Sequence, residues 1–236
     1  MLVNSFDTKY SLTAKKYESL DNSFTKTVSS KKKFSRIFTS VIEDKSLKSL
    51  SDATLRSDIT GQVINTILTH DSKSKHFLYY MGDVFKKDKM NSDNIKQFRQ
   101  HGVEIINLSK NDSFKEVLQI LDKFLKKIIK KNYTYVFTDP KISNNNNSYL
   151  LDKISHKNNI SKFVNIFKKK IDAPFELNLE KDFFSQDYHQ DIFFYVYSNY
   201  TKKILAQGGG YKYKKNTKKI EGFGFSCNVD YIAELI

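Results

Sequence analysis

The stretch Asp191–Ile232, DIFFYVYSNYTKKILAQGGGYKYKKNTKKIEGFGFSCNVDYI, decides the fold class. Three runs within it, Asp191–Ser198, Lys203–Gln207 and Gly222–Val229, are rich in aromatic and β-favouring residues. Such residues suit a pleated, half-buried surface, so each run is predicted to be a strand. Turn material joins them. Parallel neighbours need long crossovers, usually helical, so strands that follow one another this way form a mainly antiparallel sheet. Upstream, His76–Phe85 (HFLYYMGDVF), Val103–Leu108 (VEIINL) and Tyr133–Asp139 (YTYVFTD) also read as strands.

The clearest helix is Ser113–Lys131. Ser113 and Glu116 have the spacing of a capping box, and Phe114, Val117, Leu118, Leu121, Leu125 and Ile128 recur near a 3.6 period. Leu150–Lys170 reads as a second helix, and Asp230 is placed to cap a last one over Tyr231–Ile236. The fold class is therefore α+β, an antiparallel sheet flanked by helices, expected as a single domain over residues 1–236. Residues 1–50 are rich in Ser, Lys and Thr and form a divergent or partly structured N-terminal segment of one or two helices.

The chain carries 40 Lys+Arg against 26 Asp+Glu, a net charge of +14, yet only Arg36, Arg56 and Arg99 are arginines. Arginine grips phosphates and bases bidentately, whereas lysine is a hydrated point charge. A solvated lysine surface accounts for the charge best, and nucleic acid is not the expected partner. No apolar run approaches the ~20 residues that a bilayer span needs. The expectation is a soluble, cytoplasmic protein without a membrane anchor. One cysteine, Cys227, rules out a disulfide framework, and His70, His76, His101, His156 and His189 make no H-x-x-x-H or H-E-x-x-H pair. No metal and no cofactor are expected. Cys227 is read as a small buried hydrophobe.

Local motifs are weak singly, and the run Gly208-Gly209-Gly210 alone reads as a turn. Their order is informative. LRSDITGQV (55–63), FLYYMGDVF (77–85), QFRQHGVEI (97–105), QGGGY (207–211) and GFGFSCNVDYI (222–232) follow one another along the chain. This series resembles the catalytic core of histidyl-tRNA synthetases, a class II aminoacyl-tRNA synthetase fold. It resembles more closely their paralogue, the regulatory subunit of ATP phosphoribosyltransferase.

The resemblance implies a histidine site. Asp58 and Thr60 would meet the ammonium group of the ligand. Gln100 and Glu104, four apart on a strand and so on one face, would point the same way across Gly102, which leaves room for a ligand. Lys86, Tyr188, His189, Gly208 and Gly209 would line the rest, with no catalytic residue. Read without the resemblance, Asp58 is equally a helix N-cap, and Gln100 and Glu104 a solvated strand face. His101 alternates to the opposite face and is read as packing or surface.

Departures from the enzyme pattern carry the functional expectation. Attack on ATP gathers negative charge that needs fixed cations. In the resemblance, arginines stand after Phe85, after Asp230, at Phe184 and after the glycine run. This chain has Lys86, Tyr231, Phe184 and Tyr211 there. What this implies is a non-catalytic regulatory subunit in histidine biosynthesis, without an anticodon-binding domain. It would activate the short-form ATP phosphoribosyltransferase catalytic subunit and sense histidine as effector, as a homodimer within a hetero-oligomer. The rival readings are a divergent synthetase-like ligase and a lysine-rich nucleic-acid-binding accessory protein of the same fold.

Overall fold

The computed structural model describes residues 8–44, 53–87, 95–139, 149–178 and 189–236. The chain opens with helix α1 (Thr8–Ser29), strands β1 (Ser35–Arg36), β2 (Ile42–Asp44) and β3 (Ala53–Leu55), and helix α2 (Ile59–His70). A long hairpin, β4 (His76–Lys87) and β5 (Ile95–Ile106), leads to helix α3 (Lys110–Ile129). Strand β6 (Tyr133–Thr138), helix α4 (Tyr149–Lys168) and strand β7 (Phe175–Asn178) follow. Strands β8 (His189–Ser198), β9 (Ile204–Lys215) and β10 (Lys218–Asn228) and helix α5 (Val229–Ala233) complete it.

Eight strands make one sheet in the order β1-β4-β5-β10-β9-β8-β6-β7, and β2 pairs with β3 apart from it. All five inner pairings from β4 to β6 are antiparallel, while β1 on β4 and β7 on β6 are parallel. The α+β architecture expected from the three C-terminal runs is the one observed. The glycine run is not a turn: Gly208–Gly210 lie within β9, paired with both β8 and β10.

Each strand alternates between two faces, and two cores result. One face packs against α1, α3, α4 and α5 through Leu20, Phe24, Val28, Phe114, Phe124, Ile160, Phe167 and Ile232, joined by Val103, Ile105, Phe137, Phe194, Phe223 and Phe225 of the strands. The other face carries a smaller core, where Ile59, Val63, Ile64, Ile67 and Leu68 of α2 cover Tyr80, Val84, Ile106, Tyr211 and Ile220.

Two helix starts differ from their sequence reading. Ser109 caps α3, its Oγ accepting from Asp112 N at 3.3 Å. The S-x-x-E pair lies inside that helix, and Glu116 instead binds Lys31 at 2.9 Å and Lys33 at 3.2 Å. The last helix is capped by the Asn228 side chain, with Asp230 in its first turn. In both cases the side chain nearest the turn takes the cap, and the later residue is drawn to a tertiary partner: Asp230 accepts from Tyr17 Oη and from Arg99 N.

Candidate functional site

The candidate site is the α2 side of the central strands. Helix α2 starts at Asp58, whose extended backbone lets its carboxylate accept from Gly61 N at 3.3 Å. That cap sets Thr60 in the first turn, facing the sheet. Arg56, just upstream, is 4% exposed and donates from Nη1 to Thr39 O and Thr39 Oγ1, both at 2.9 Å. Its Nε donates to Asp83 O, so Arg56 ties the approach to α2 onto β4. It fills the space above Gly82, where an added Cβ would lie 2.3 Å from Nη2.

Register places the expected residues. Across the sheet, Leu78, Glu104, Gly224, Gly209 and Phe193 form one row, and Tyr80, Gly102, Ser226, Gln207 and Tyr195 the next. A third row holds Gly82, Gln100 and Asn228. Glu104 is 1% exposed and sits in a closed set of hydroxyls. Its Oε1 accepts from Thr60 Oγ1 at 2.9 Å, its Oε2 accepts from Tyr211 Oη at 2.9 Å, and Thr60 in turn meets Tyr80 Oη at 3.0 Å. Burial pushes the Glu104 carboxyl up to about 8, more than the hydroxyl donors pull it down, and the nearby charge of Asp58 pushes the same way.

Two glycines make this packing possible. A Cβ at Gly102 would lie 2.2 Å from Tyr80 Cζ, and one at Gly224 would lie 2.0 Å from Glu104 Oε2. Gly102 therefore makes room for the Tyr80 ring, not for a ligand as the sequence reading had it. Gln100, 8% exposed, has an Oε1 without a hydrogen-bond partner among the described residues. Beside it Asn228, Ser226, Gln207 and Tyr195 are half-buried.

The structure thus brings Thr60 and Glu104 into contact, sets Asp58 close enough to act on Glu104, and puts Gln100 and Gly209 on the same face. Gly208 belongs to the opposite face, where an added Cβ would meet Gly224 O at 2.2 Å and the Phe194 ring at 2.9 Å. Of Lys86 and His189 only the backbone is described, paired with Lys96 and Tyr211. Tyr188 and Phe184 lie outside the described residues. Sequence reading assigned no role to Tyr80 or Arg56. The available signal was a glycine in a strand directly opposite an aromatic residue.

On the back of β5 the side chains belong to a separate ion cluster. His101 is fully buried, stacks on Phe24 at 4.7 Å and donates from Nε2 to Asp21 Oδ1 at 2.7 Å. Arg99 Nε donates to the same carboxylate at 3.0 Å. Burial opposes the Asp21 charge, yet these partners hold its carboxyl at about 2. Burial lowers His101. Cys227 is buried on that face as expected, its thiol pushed up by burial. Among the described residues no His, Cys, Asp and Glu side chains gather as a metal site, and no helix is long and apolar enough to cross a membrane.

Tyr211 and Tyr231, two of the positions where the resemblance led to the expectation of arginine, have other partners. Tyr211 is bound to Glu104, and Tyr231 packs edge-on against Phe98 at 6.2 Å with the Lys203 ammonium over its ring at 4.7 Å.

The family model for histidyl-tRNA synthetase matches residues 17–170, more than half of the chain. The chain belongs to the histidyl-tRNA synthetase family. Histidine–tRNA ligases of Thermotoga petrophila and Thermotoga maritima are 33% and 32% identical over 89 residues, which is 36% of this chain and only 20% of each ligase. In fold this family member is similar to an ATP phosphoribosyltransferase regulatory subunit/histidyl-tRNA synthetase from Bacillus halodurans, with a TM-score of 0.71 at 14% identity, over 94% of this chain and 79% of that one. It is also similar to a chain of the ATP phosphoribosyl transferase (HisG:HisZ) complex from Thermotoga maritima, with a TM-score of 0.62 at 16% identity, over 89% and 96% of the two. Apo S. aureus histidyl-tRNA synthetase gives a TM-score of 0.67 at 18% identity, over 94% and 66%. These likenesses establish the class II synthetase fold.

Proposed function

We propose that this family member is a non-catalytic regulatory subunit of ATP phosphoribosyltransferase, which activates the short-form catalytic chain and senses histidine. One observation carries the reading. The polar face has Asp58, Thr60, Gln100 and Glu104 around a common area, while Tyr211 and Tyr231 stand where the resemblance expects arginines. A transition state that accumulates charge on phosphate loses about 100- to 1000-fold in rate for each missing donor. Amino-acid binding can survive such losses, because it needs an anion for the ammonium group, a donor for the carboxylate and a polar partner for a ring nitrogen, not a set of cations around phosphate. The likeness to a chain of the HisG:HisZ complex, over 89% of this chain and 96% of that one, supports the partner.

As a regulator, the chain would act by differential affinity: histidine shifts the complex only if it binds one state better than the other. The ligand site would comprise Asp58, Thr60, Gln100, Glu104 and Gly209, with Lys86, Tyr188 and His189 as further contacts, in a homodimer within the hetero-oligomer; Gly208, on the opposite face, is not part of it. The test is co-expression of the tagged chain with a short-form catalytic subunit. The two are expected to co-purify, phosphoribosyl transfer to ATP is expected to rise on addition of this chain, and histidine is expected to suppress it. A catalytic subunit that passes through unbound, with its rate unchanged, overturns the reading.

A divergent ligase is the second reading, because the sequence relatives are ligases. Amino-acid-dependent ATP–pyrophosphate exchange well above background would establish that alternative.

A further inference from the structure

Glu104 is held from two sides, by Thr60 of α2 and by Tyr211 of β9. Its carboxylate cannot turn away easily, because it lies over Gly224 so closely that a single Cβ there would touch it at 2.0 Å. The carboxylate itself fills the space over Gly224, and Gly209, next in the row, has no side chain. A ligand reaching Glu104 past Gly209 would therefore come at it from the β9 side, on the face where, two rows away, Gln100 Oε1 has no hydrogen-bond partner among the described residues. Tyr211, two residues along β9 from Gly209, comes at it from that side too.

We propose that Tyr211 sets the ligand affinity of this site by competing with a ligand N–H for Glu104 Oε2. The proposal rests on the reading of this face as an amino-acid site, and it names a specificity residue within it. The ligand class is an amino acid with a second N–H donor, such as a ring nitrogen. The phenol is kept in place by packing: an added Cβ at Gly222 would lie 2.4 Å from Tyr211 Cζ. An incoming N–H must replace an existing hydrogen bond, so it gains little. Removing the hydroxyl leaves a buried acceptor short of a donor, a state that a ligand relieves on binding.

The experiment titrates histidine calorimetrically into the full-length protein, Tyr211→Phe and Gly222→Ala, with a thermal melt of each. Carbon-detected NMR follows the Glu104 carboxyl with pH. Tyr211→Phe is expected to bind histidine roughly three- to tenfold tighter, and its Glu104 to titrate higher than in the parent, since one donor to the anion is gone. A packing role alone would move neither in that direction. Gly222→Ala displaces the ring by its added methyl and is expected to act in the same direction, which keeps the test decisive should Tyr211→Phe not fold. Histidine binding by the parent with unchanged or weaker binding by a folded variant overturns this proposal alone. Absence of binding by parent and variants alike overturns the amino-acid-site reading, and the competition with it.

Discussion

The two faces of the sheet bury polar groups in opposite ways. Behind β5, Asp21 is ion-paired with Arg99 and hydrogen-bonded to His101, inside a core of stacked and edge-on aromatic rings. Charge is matched there, and the cluster fastens α1 to the sheet. In front of β5, Glu104 accepts from the hydroxyls of Thr60 and Tyr211 and has no ion pair among the described residues, and burial pushes its carboxyl up more than those donors pull it down. A buried anion needs a cation or it takes up a proton. The rear face therefore pairs its charge, and the front face holds a carboxyl met by hydroxyls.

Four substitutions sharpen or break this contrast. The largest expected effect is at Phe124, fully buried and edge-on to Phe24 at 5.3 Å. Phe124→Ala should cost about 3–5 kcal/mol in urea unfolding, and a cost below 1 would mean that the rear core is not the main source of stability. Gly102→Ala comes next, since its Cβ would fall 2.2 Å from Tyr80 Cζ. Overpacking of that kind costs about 1–3 kcal/mol, and the displaced Tyr80 should weaken histidine binding as well.

Asp21→Asn should destabilise by a comparable or smaller amount, about 1–3 kcal/mol, as its charge-assisted hydrogen bonds from Arg99 are lost. The parent owes this stabilisation to a carboxyl held at about 2, below the ordinary 3.8, so it is present above pH 3.8 and fades as pH falls through about 2. Asp21→Asn should lose that acid-range dependence. Glu104→Gln is expected to have the smallest effect at low pH and the opposite dependence. The folded carboxyl titrates at about 8 against an ordinary 4.5, so its contribution is complete below pH 4.5 and is lost as pH rises through about 8. Between those limits the parent should lose at most about 1.4 kcal/mol per pH unit from this group, whereas Glu104→Gln should show a flatter profile. Equal pH profiles for parent and Glu104→Gln would remove the chemical distinction between the faces.

Much of this was readable along the chain. The strand runs and the alternation of Gln100, Gly102 and Glu104 gave the antiparallel sheet and a shared face, and alternation also put His101 behind it. The pairing of Thr60 with Glu104 was anticipated only as two residues of one site, because their contact joins positions 44 apart. The capping reading of Ser113 failed for a local reason: Ser109 starts the helix one turn earlier, and Glu116 is taken by lysines from the segment after α1. Gly208–Gly210 misled as a turn because glycine in a strand looks the same as glycine in a loop until its neighbours across the ladder are known.

Composition, strand patterning and motif order determined by themselves that this is an α+β chain with the histidyl-tRNA synthetase segments in sequence, since periodicity and residue type are local properties. Only the tertiary structure decided how the carboxyl of Glu104 is spent. Whether that group faces a ligand or a neighbouring phenol depends on the register of β5, β10 and β9 and on the space two glycines leave. Such distances between remote strands are fixed by packing, which no single stretch of sequence encodes.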